Sequence, residues 1–453
     1  MNIVIMGLGK VGLELTEQLS NEGHSITVVD KDSKRIEYAL GIYDIAAVVG
    51  SVTDHNVLKE ANVAEADLAI ALTDNDEVNL TSCLMCKKLG AKSTIARARK
   101  PEYQEGINLI RSDLGLSLCI NPEKETAAEI ARILKFPNAQ KVEPFAKGKI
   151  EMIEYVIEKG NTLIGNSVAS VFSKQKYPIL VCAVERDGEI TIPYGDFVFA
   201  EGDMIMLLGS AEGMAYFFKG LGIKTTSIHD VIIIGGGSTS YFLAQRLTKM
   251  HIGVSVIEIN KAVAENMSEE FPDINVILGD GTDHQLLAEE GLRDVDALCC
   301  MTGIDEENIL ASLYAKTVNE KIKTVTKINR SELTFLARPL EVGSIVTPKK
   351  IAANIILRYV RALQNSAEAD NVLTLYKLAD GKVEALEFAV TSKCSLVGIP
   401  IMELGIANDV IVASINRQGK IISPRGSNKF EVGDTVIVVT TRTGLDSLED
   451  IRG

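Results

Sequence analysis

The sequence predicts an α/β fold in tandem duplicate: two parallel-sheet domains, each followed by a small α+β subdomain. Three observations carry that prediction. Ile3-Val4-Ile5-Met6-Gly7-Leu8-Gly9 is answered half a chain length later by Val231-Ile232-Ile233-Ile234-Gly235-Gly236-Gly237, as in an internal repeat. Each half opens with short apolar runs separated by helix-length segments, the pattern of βαβ units and a parallel sheet. The rest of each half carries closely spaced strand patterns punctuated by turn residues such as Asp187-Gly188.

Taken in order, the opening strand at Ile3 to Met6 is followed by strands at Ser25 to Val29, Ala46 to Val49, Leu68 to Leu72 and Thr94 to Ala98. A helix begun by proline, Pro122 to Leu134 in one half and Pro348 to Leu363 in the other, then leads into the second pattern. Its strands are expected at Met152 to Ile157, Ile179 to Glu185 and Met204 to Leu208. Smaller echoes keep the register: Thr53-Asp54-His55 recurs as Thr282-Asp283-His284, and Thr73, Asp76, Glu77 and Asn79 recur as Thr302, Asp305, Glu306 and Asn308. Glu201-Gly202-Asp203 is echoed by Val432-Gly433-Asp434. The expected domains are 1–136, 137–226, 227–365 and 366–453, with joints at Pro137 to Phe145 and Leu221 to Thr226.

Composition excludes several functions. With 47 Lys and Arg against 61 Asp and Glu the net charge is −14, and no basic block offsets it, so nucleic acid is not an expected partner. No apolar run approaches the length needed to span a bilayer, so no direct membrane insertion is expected. Met1-Asn2-Ile3-Val4-Ile5 runs straight into a strand pattern, which leads us to expect no secretory signal and a cytosolic location. Seven irregularly spaced cysteines suit reduced thiols. Cys83-Leu84-Met85-Cys86 has no second pair or neighbouring His for zinc, and it reads as core, as does Cys299-Cys300.

The chemistry is concentrated in the glycine loops. Gly7-Leu8-Gly9-Lys10-Val11-Gly12 follows a strand and opens a helix, and Asp30, followed by Lys31, ends the next strand. In that context the first two glycines permit a tight turn and close approach to a pyrophosphate, and the third lets helix and strand pack. The helix start supplies free N–H groups and a positive dipole end. Asp30 would accept from ribose hydroxyls and repel a 2′-phosphate, favouring NAD or an adenine nucleotide over NADP. The second half reads Gly235-Gly236-Gly237-Ser238-Thr239-Ser240, with Ser240 for the third glycine and Glu258 for Asp30. Binding there competes with a degenerate unit kept for packing.

Gly50-Ser51-Val52-Thr53-Asp54-His55 and Gly279-Asp280-Gly281-Thr282-Asp283-His284 follow the third strands, on the edge where such sheets bind ligands. Ser51, Val52, Thr53, Asp280 and Thr282 are therefore candidates, although Thr53 or Asp54 could simply cap a helix, and His55 and His284 read as helix-start residues. Thr73 and Thr302, after the fourth strands, are candidates for ligand contact or capping, with Asn75 or Asp76 as caps. Strand alternation places Arg97 and Arg99 on one face, able to reach added phosphate oxygens and suited to ATP. Lys327 and Asn329 stand there in the second half, one positive charge fewer, so that pocket should tolerate a triphosphate less well.

These ordered, duplicated elements resemble the tandem RCK (KTN) family, regulatory subunits of Trk-type potassium uptake systems, over nearly all 453 residues. The resemblance implies Rossmann-like RCK_N domains with crossover helices, RCK_C subdomains, and a homotetrameric ring beneath a membrane potassium transporter or channel of the Trk type. Such rings bind NAD(H) and ATP or ADP and pass the difference to the pore, at the inner face of the cell membrane. By similarity Gly7, Gly9, Gly12, Asp30, Thr53, Thr73, Arg97 and Arg99 match pocket positions in the first half, and Gly235, Gly237, Glu258, Thr282, Thr302 and Lys327 match in the second. Leu8, Lys10, Val11, Lys31 and Ser238 complete the candidate loops.

A regulatory subunit that breaks no bond follows from that resemblance. The alternative is an NAD-dependent oxidoreductase, since fold alone does not fix function. The segments after each parallel-sheet domain offer no justified His/Asp or Lys acid/base set, and His24 lies in a turn before the second strand. A scaffold with vestigial pockets is the third reading, and the presence of Asp30 with all three first-half glycines argues against it.

Overall fold

The computed structural model describes residues 1–100, 103–136, 139, 141–145, 149–172, 177–221, 228–340, 342, 343–367, 372–378, 382–442, 445 and 447–453. Most of the expected joint from Leu221 to Thr226, and Pro137, Asn138 and Gln140 of the other, lie outside the described residues.

The first parallel sheet is built from β1 (Asn2–Met6), β2 (Ser25–Asp30), β3 (Ala46–Val49), β4 (Leu68–Ala71), β5 (Ser93–Arg97) and β6 (Leu118–Ile120). Helices α1 (Lys10–Asn21), α2 (Ser33–Leu40), α3 (His55–Glu60), α4 (Asp76–Leu89) and α5 (Tyr103–Ile110) connect them, and α6 (Pro122–Lys135) follows β6. The strand order β3-β2-β1-β4-β5-β6 is the doubly wound one, and it reverses between β1 and β4. Ile3, Val4, Ile5 and Met6 are all buried, as a strand covered by helices on both faces requires. Val11, Leu15 and Leu19 recur at the four-residue spacing that turns one face of α1 inward.

The first small subdomain contains β7 (Lys141–Phe145), β8 (Ile150–Val156), α7 (Val168–Phe172), β9 (Ile179–Arg186), β10 (Glu189–Thr191), β11 (Met204–Gly209) and α8 (Ala211–Gly220), with an antiparallel sheet ordered β10-β9-β11-β8-β7. The repeat then restarts. β12 (Asp230–Ile234), β13 (Gly253–Glu258), β14 (Asn275–Leu278), β15 (Ala297–Cys300), β16 (Lys323–Lys327) and β17 (Ser344–Val346) form a second parallel sheet, ordered β14-β13-β12-β15-β16-β17. Its helices are α9 (Ser238–Lys249), α10 (Lys261–Glu270), α11 (His284–Glu289), α12 (Asp305–Val318), α13 (Ser331–Ala337) and α14 (Pro348–Ala367). The last sheet joins β18 (Val372–Leu378), β19 (Val383–Ala389), β20 (Val410–Arg417), β21 (Lys420–Ile422) and β22 (Thr435–Thr440) in the order β18-β19-β22-β20-β21.

The echo of Glu201-Gly202-Asp203 in Val432-Gly433-Asp434 has a packing reason. Asp203, fully buried, accepts from Arg186 Nε at 2.6 Å and Nη2 at 2.7 Å, and Asp434 accepts from the same atoms of Arg417 at 2.8 Å each. A buried carboxylate is tolerable when a guanidinium fork pairs with it this way. Gly202 and Gly433 turn the chain beside it with φ of +87° and +93°.

The compact units are not the sequence halves. Met1–Ala131 and Ile228–Leu357 make one unit from both parallel-sheet domains, and Arg132–Ser227 and Arg358–Gly453 make the other from both small subdomains. In the latter, Phe145, Met152, Cys182 and Met206 share a core with Ala385, Ala413, Ile437 and Val439. The two sheets thus bury a common apolar layer contributed by both repeats, which neither could cover alone. The cysteines among these and in β15 and α4 are buried free thiols.

Candidate nucleotide-binding sites

The three glycines of the first loop differ in what a side chain there would meet. Gly7 has φ +100°, and a Cβ there would lie 2.8 Å from the Thr73 backbone N. A Cβ on Gly12 would fall 2.0 Å from the Gly7 carbonyl oxygen, so the third glycine is required for packing. A Cβ on Gly9 would meet nothing within 4 Å: this glycine faces open space. It is also the N-cap of α1 and offers no side chain to the first-turn N–H groups. By contrast Asp32, Asp54 and Asn75 cap α2, α3 and α4 through their side chains. Gly237 repeats the arrangement, capping α9 without a side chain and facing open space. These two helix starts are cradles for an anion, and the pyrophosphate of a nucleotide fits them.

Asp30 holds the first loop. Its Oδ2 accepts from Leu8 N at 2.6 Å and its Oδ1 from Asp32 N at 2.9 Å. Glu258 does the same in the second, accepting from Gly236 N and, at 2.7 Å, from Asn260 N. Glu258 is one methylene longer, and Gly236 has no side chain where Leu8 stood: a Cβ there would be 3.2 Å from Glu258 Cγ. The longer acid and the missing side chain compensate one another. Both carboxylates are buried and fix their loops, at the place where the hydroxyls of a ribose would be received.

The third-strand candidates divide. Ser51 Oγ and Thr53 Oγ1 lie 2.9 Å apart in an exposed loop, and Asp280 Oδ1 accepts from Thr282 N at 2.9 Å and Oγ1 at 2.7 Å. Those bonds hold the Asp280 carboxyl below its usual range. The helices that follow are capped by Asp54 and Asp283, and His55 and His284 open them. Leu8, Val11 and Val52, by contrast, turn their side chains into the core and offer a ligand only backbone.

The recurring Thr, Asp and Asn of the fourth-strand loops act as a clamp, a role the sequence showed only as an echo. Asn79, fully buried, accepts from Thr73 N at 2.8 Å and Thr73 Oγ1 at 2.7 Å, and donates to the carbonyls of Thr73 and Arg97. Asp76 Oδ2 accepts from Arg99 N at 2.8 Å and Lys100 N at 3.0 Å. Asn308 and Asp305 make the same backbone bonds to Thr302 and Lys327 and to Asn329 and Arg330, while Thr302 Oγ1 donates to the Ile304 carbonyl. The loop after the fourth strand is thereby tied to the end of the fifth.

Arg97 and Arg99 both brace that loop. Arg97 Nη2 donates to the Thr73 carbonyl and Arg99 Nη2 to that of Asp74 at 2.7 Å. Burial pushes the Arg97 guanidinium below its ordinary value, and its buried Nε has no hydrogen-bond partner. Glu123, on the first turn of α6, is a neighbour that the sequence reading passed over. Burial raises its carboxyl while the two arginines pull it back, and its Oε2 is also buried without a partner. In the second half Lys327 Nζ donates to the Met301 carbonyl at 2.7 Å, and burial lowers its ammonium. Among the described residues no group of three or more His, Cys, Asp or Glu could hold a metal ion.

The TrkA-N domain matches residues 3–122 and 231–348, and the TrkA-C domain matches 152–222 and 385–453. The chain belongs to the TrkA family. Its two glycine loops and both clamps fall within the TrkA-N matches. A Trk system potassium uptake protein TrkA homolog of Archaeoglobus fulgidus is 30% identical over 451 residues, covering 100% of each chain. Among solved structures, the GsuK channel bound to NAD is similar with a TM-score of 0.64 at 20% identity, over 97% of this chain and 76% of that one. The GsuK RCK domain is similar with a TM-score of 0.63 at 20% identity, over 97% and 92%. The tandem RCK fold is therefore established. The names are those of potassium uptake and channel proteins, none that of an enzyme, in line with the non-enzymatic reading.

Proposed function

We propose that the chain is the cytosolic regulatory subunit of a Trk-type potassium transport system. It binds NAD(H) and ATP or ADP in its glycine-loop pockets, assembles with copies of itself into a homotetrameric ring, and passes the nucleotide state to a membrane potassium transporter. The observation that carries this is the pair of uncapped helix starts at Gly9 and Gly237, each beside a buried carboxylate, in a chain whose full length is similar to a potassium uptake protein. NAD in the similar GsuK channel supports the choice of ligand. No helix among the described residues is long and apolar enough to cross a membrane, so ion passage belongs to the partner in this reading. Binding that differs between two ring conformations shifts their populations, and that difference is the signal.

The test is calorimetric titration of the full chain with ATP, ADP, NADH and NADPH, alongside Asp30→Ala and Glu258→Ala. NADH and adenine nucleotides should bind, NADPH more weakly, and each substitution should weaken binding by about ten-fold or more, as loss of a charge-assisted hydrogen-bond acceptor does. Flux through a reconstituted Trk-type transporter that ignores the added chain and nucleotide would overturn the regulatory role.

A further inference from the structure

The two glycine loops are bordered by different charges. Around the first stand Lys10 at the opening of α1, Lys31 just after Asp30, and Arg97 and Arg99 on the clamp loop. The corresponding places in the second hold Ser238, Ile259, Lys327 and Asn329. Four bases have become one. Lys327 is bonded to the Met301 carbonyl, as Arg97 and Arg99 are to those of Thr73 and Asp74, but each guanidinium has five N–H donors against three on the ammonium, and Lys10 lies within electrostatic reach of Lys327 as well. Asn329 does not substitute for Arg99, since its Nδ2 is committed to Asp305 Oδ1 at 2.9 Å. Ile259 is 70% exposed beside the ribose acid and offers an apolar surface for a base where Lys31 offers a charge. Glu123, Asp74 and Asp76 are acids facing the first set, Glu123 acts on Lys327 too, and Lys349, at the place of Glu123 in the second half, is paired with Glu14 at 3.3 Å.

The hydroxyl-recognising part of the pocket is kept in both halves and the phosphate-neutralising part is kept in one. Relying on the nucleotide-sensor reading above, we infer that the pockets divide the ligands. The first takes ATP or ADP and senses the terminal phosphate, and the second takes the pyrophosphate-bridged dinucleotide NAD(H). Terminal phosphates carry their charge on unshared oxygens, which need guanidinium or ammonium partners to leave water. The bridged pyrophosphate of a dinucleotide carries less, and an uncapped helix start with a carboxylate for the ribose suffices for it.

The experiment isolates each pocket in the full chain and titrates ATP, ADP and NADH by calorimetry. In Glu258→Ala, where the first pocket remains, ATP should bind at least ten-fold tighter than NADH, and raising salt should weaken ATP steeply. In Asp30→Ala, where the second remains, NADH should bind tighter and ATP and ADP should differ by less than about three-fold. As a check that does not depend on the folding of those variants, Ser238→Lys with Asn329→Arg in an otherwise unchanged chain should add a second ATP-binding equivalent. The same ATP-to-NADH ratio in both single-pocket chains, a reversed one, or no added ATP site in the exchange variant would overturn the division while leaving the sensor reading intact. Absence of any nucleotide binding to the unaltered chain would overturn both.

Discussion

Lys349 Nζ lies 3.3 Å from Glu14 Oε2, an ion pair joining α14 of the second half to α1 of the first, with the two side chains 19% and 10% exposed. The repeat does not duplicate it: the counterpart of Glu14 is Phe242 and that of Lys349 is Glu123. One nucleotide-loop helix, α1, is therefore pinned ionically to the opposite crossover helix. Lys349→Met should lower the stability of the unit formed by the parallel-sheet domains by about 1–3 kcal/mol, because it strands a mostly buried carboxylate. Urea unfolding of Lys349→Met, Glu14→Leu and the double variant measures this, and strictly additive losses would show that the pair has no coupling.

Gly12 and Ser240 occupy the same place in the repeat and should respond oppositely to alanine. Gly12→Ala puts a Cβ 2.0 Å from the Gly7 carbonyl, so the first loop must shift, at about 1–3 kcal/mol and with loss of nucleotide affinity. Ser240 is fully buried with an unpartnered Oγ, so Ser240→Ala should be neutral or stabilise by up to about 1 kcal/mol. Thermal melts of the two variants decide it. A destabilising Ser240→Ala would mean that the hydroxyl has a partner.

Asn79→Ala removes four hydrogen bonds at once and takes from the part-buried Thr73 N–H and Arg97 carbonyl the partner that Asn79 supplies, while the Thr73 carbonyl keeps Arg97 Nη2. The expected cost is about 2–3 kcal/mol, with weaker binding at the first pocket because the loop that Arg97 and Arg99 brace is released. Hydrogen exchange over residues 72–76 should quicken while β12 and its neighbours keep their protection.

Lys323 supplies a pH dependence. Burial pushes its ammonium down to about 8 from an ordinary 10.5, with Lys316 adding to the shift. A base whose folded pKa is depressed binds fewer protons folded than unfolded between those values, so stability should rise as pH rises from 8 toward 10.5. Below pH 8 the penalty of the buried charge is fully present. In Lys323→Met this rise should be missing and stability at pH 7 should increase; identical pH profiles for variant and unaltered chain would refute the assignment.

Most of the architecture was legible in the sequence because it depends on local patterns. β3 falls at Ala46–Val49 as expected, and the other first-half strands given bounds in the sequence analysis lie within two residues of them, since an apolar run of strand length between turn residues has few other ways to bury itself. The glycine loops and the acids after β2 and β13 were legible for the same reason: their spacing is itself the turn geometry. The side chains of Leu8, Val11 and Val52 were not, because a loop residue can face the core or the ligand with identical spacing.

By itself the sequence determined the duplication, the sheet-forming segments, the glycine loops and the family, all of which are written in residues near one another or in repetition at a fixed offset. Only the tertiary structure decided that like packs with like across the repeat, that Asn79 and Asn308 clamp two strands, and that Lys349 reaches Glu14. Each of these is a choice of partner between residues far apart in the chain. Burial and hydrogen-bond satisfaction make that choice once the sheets are assembled, and no local pattern encodes it.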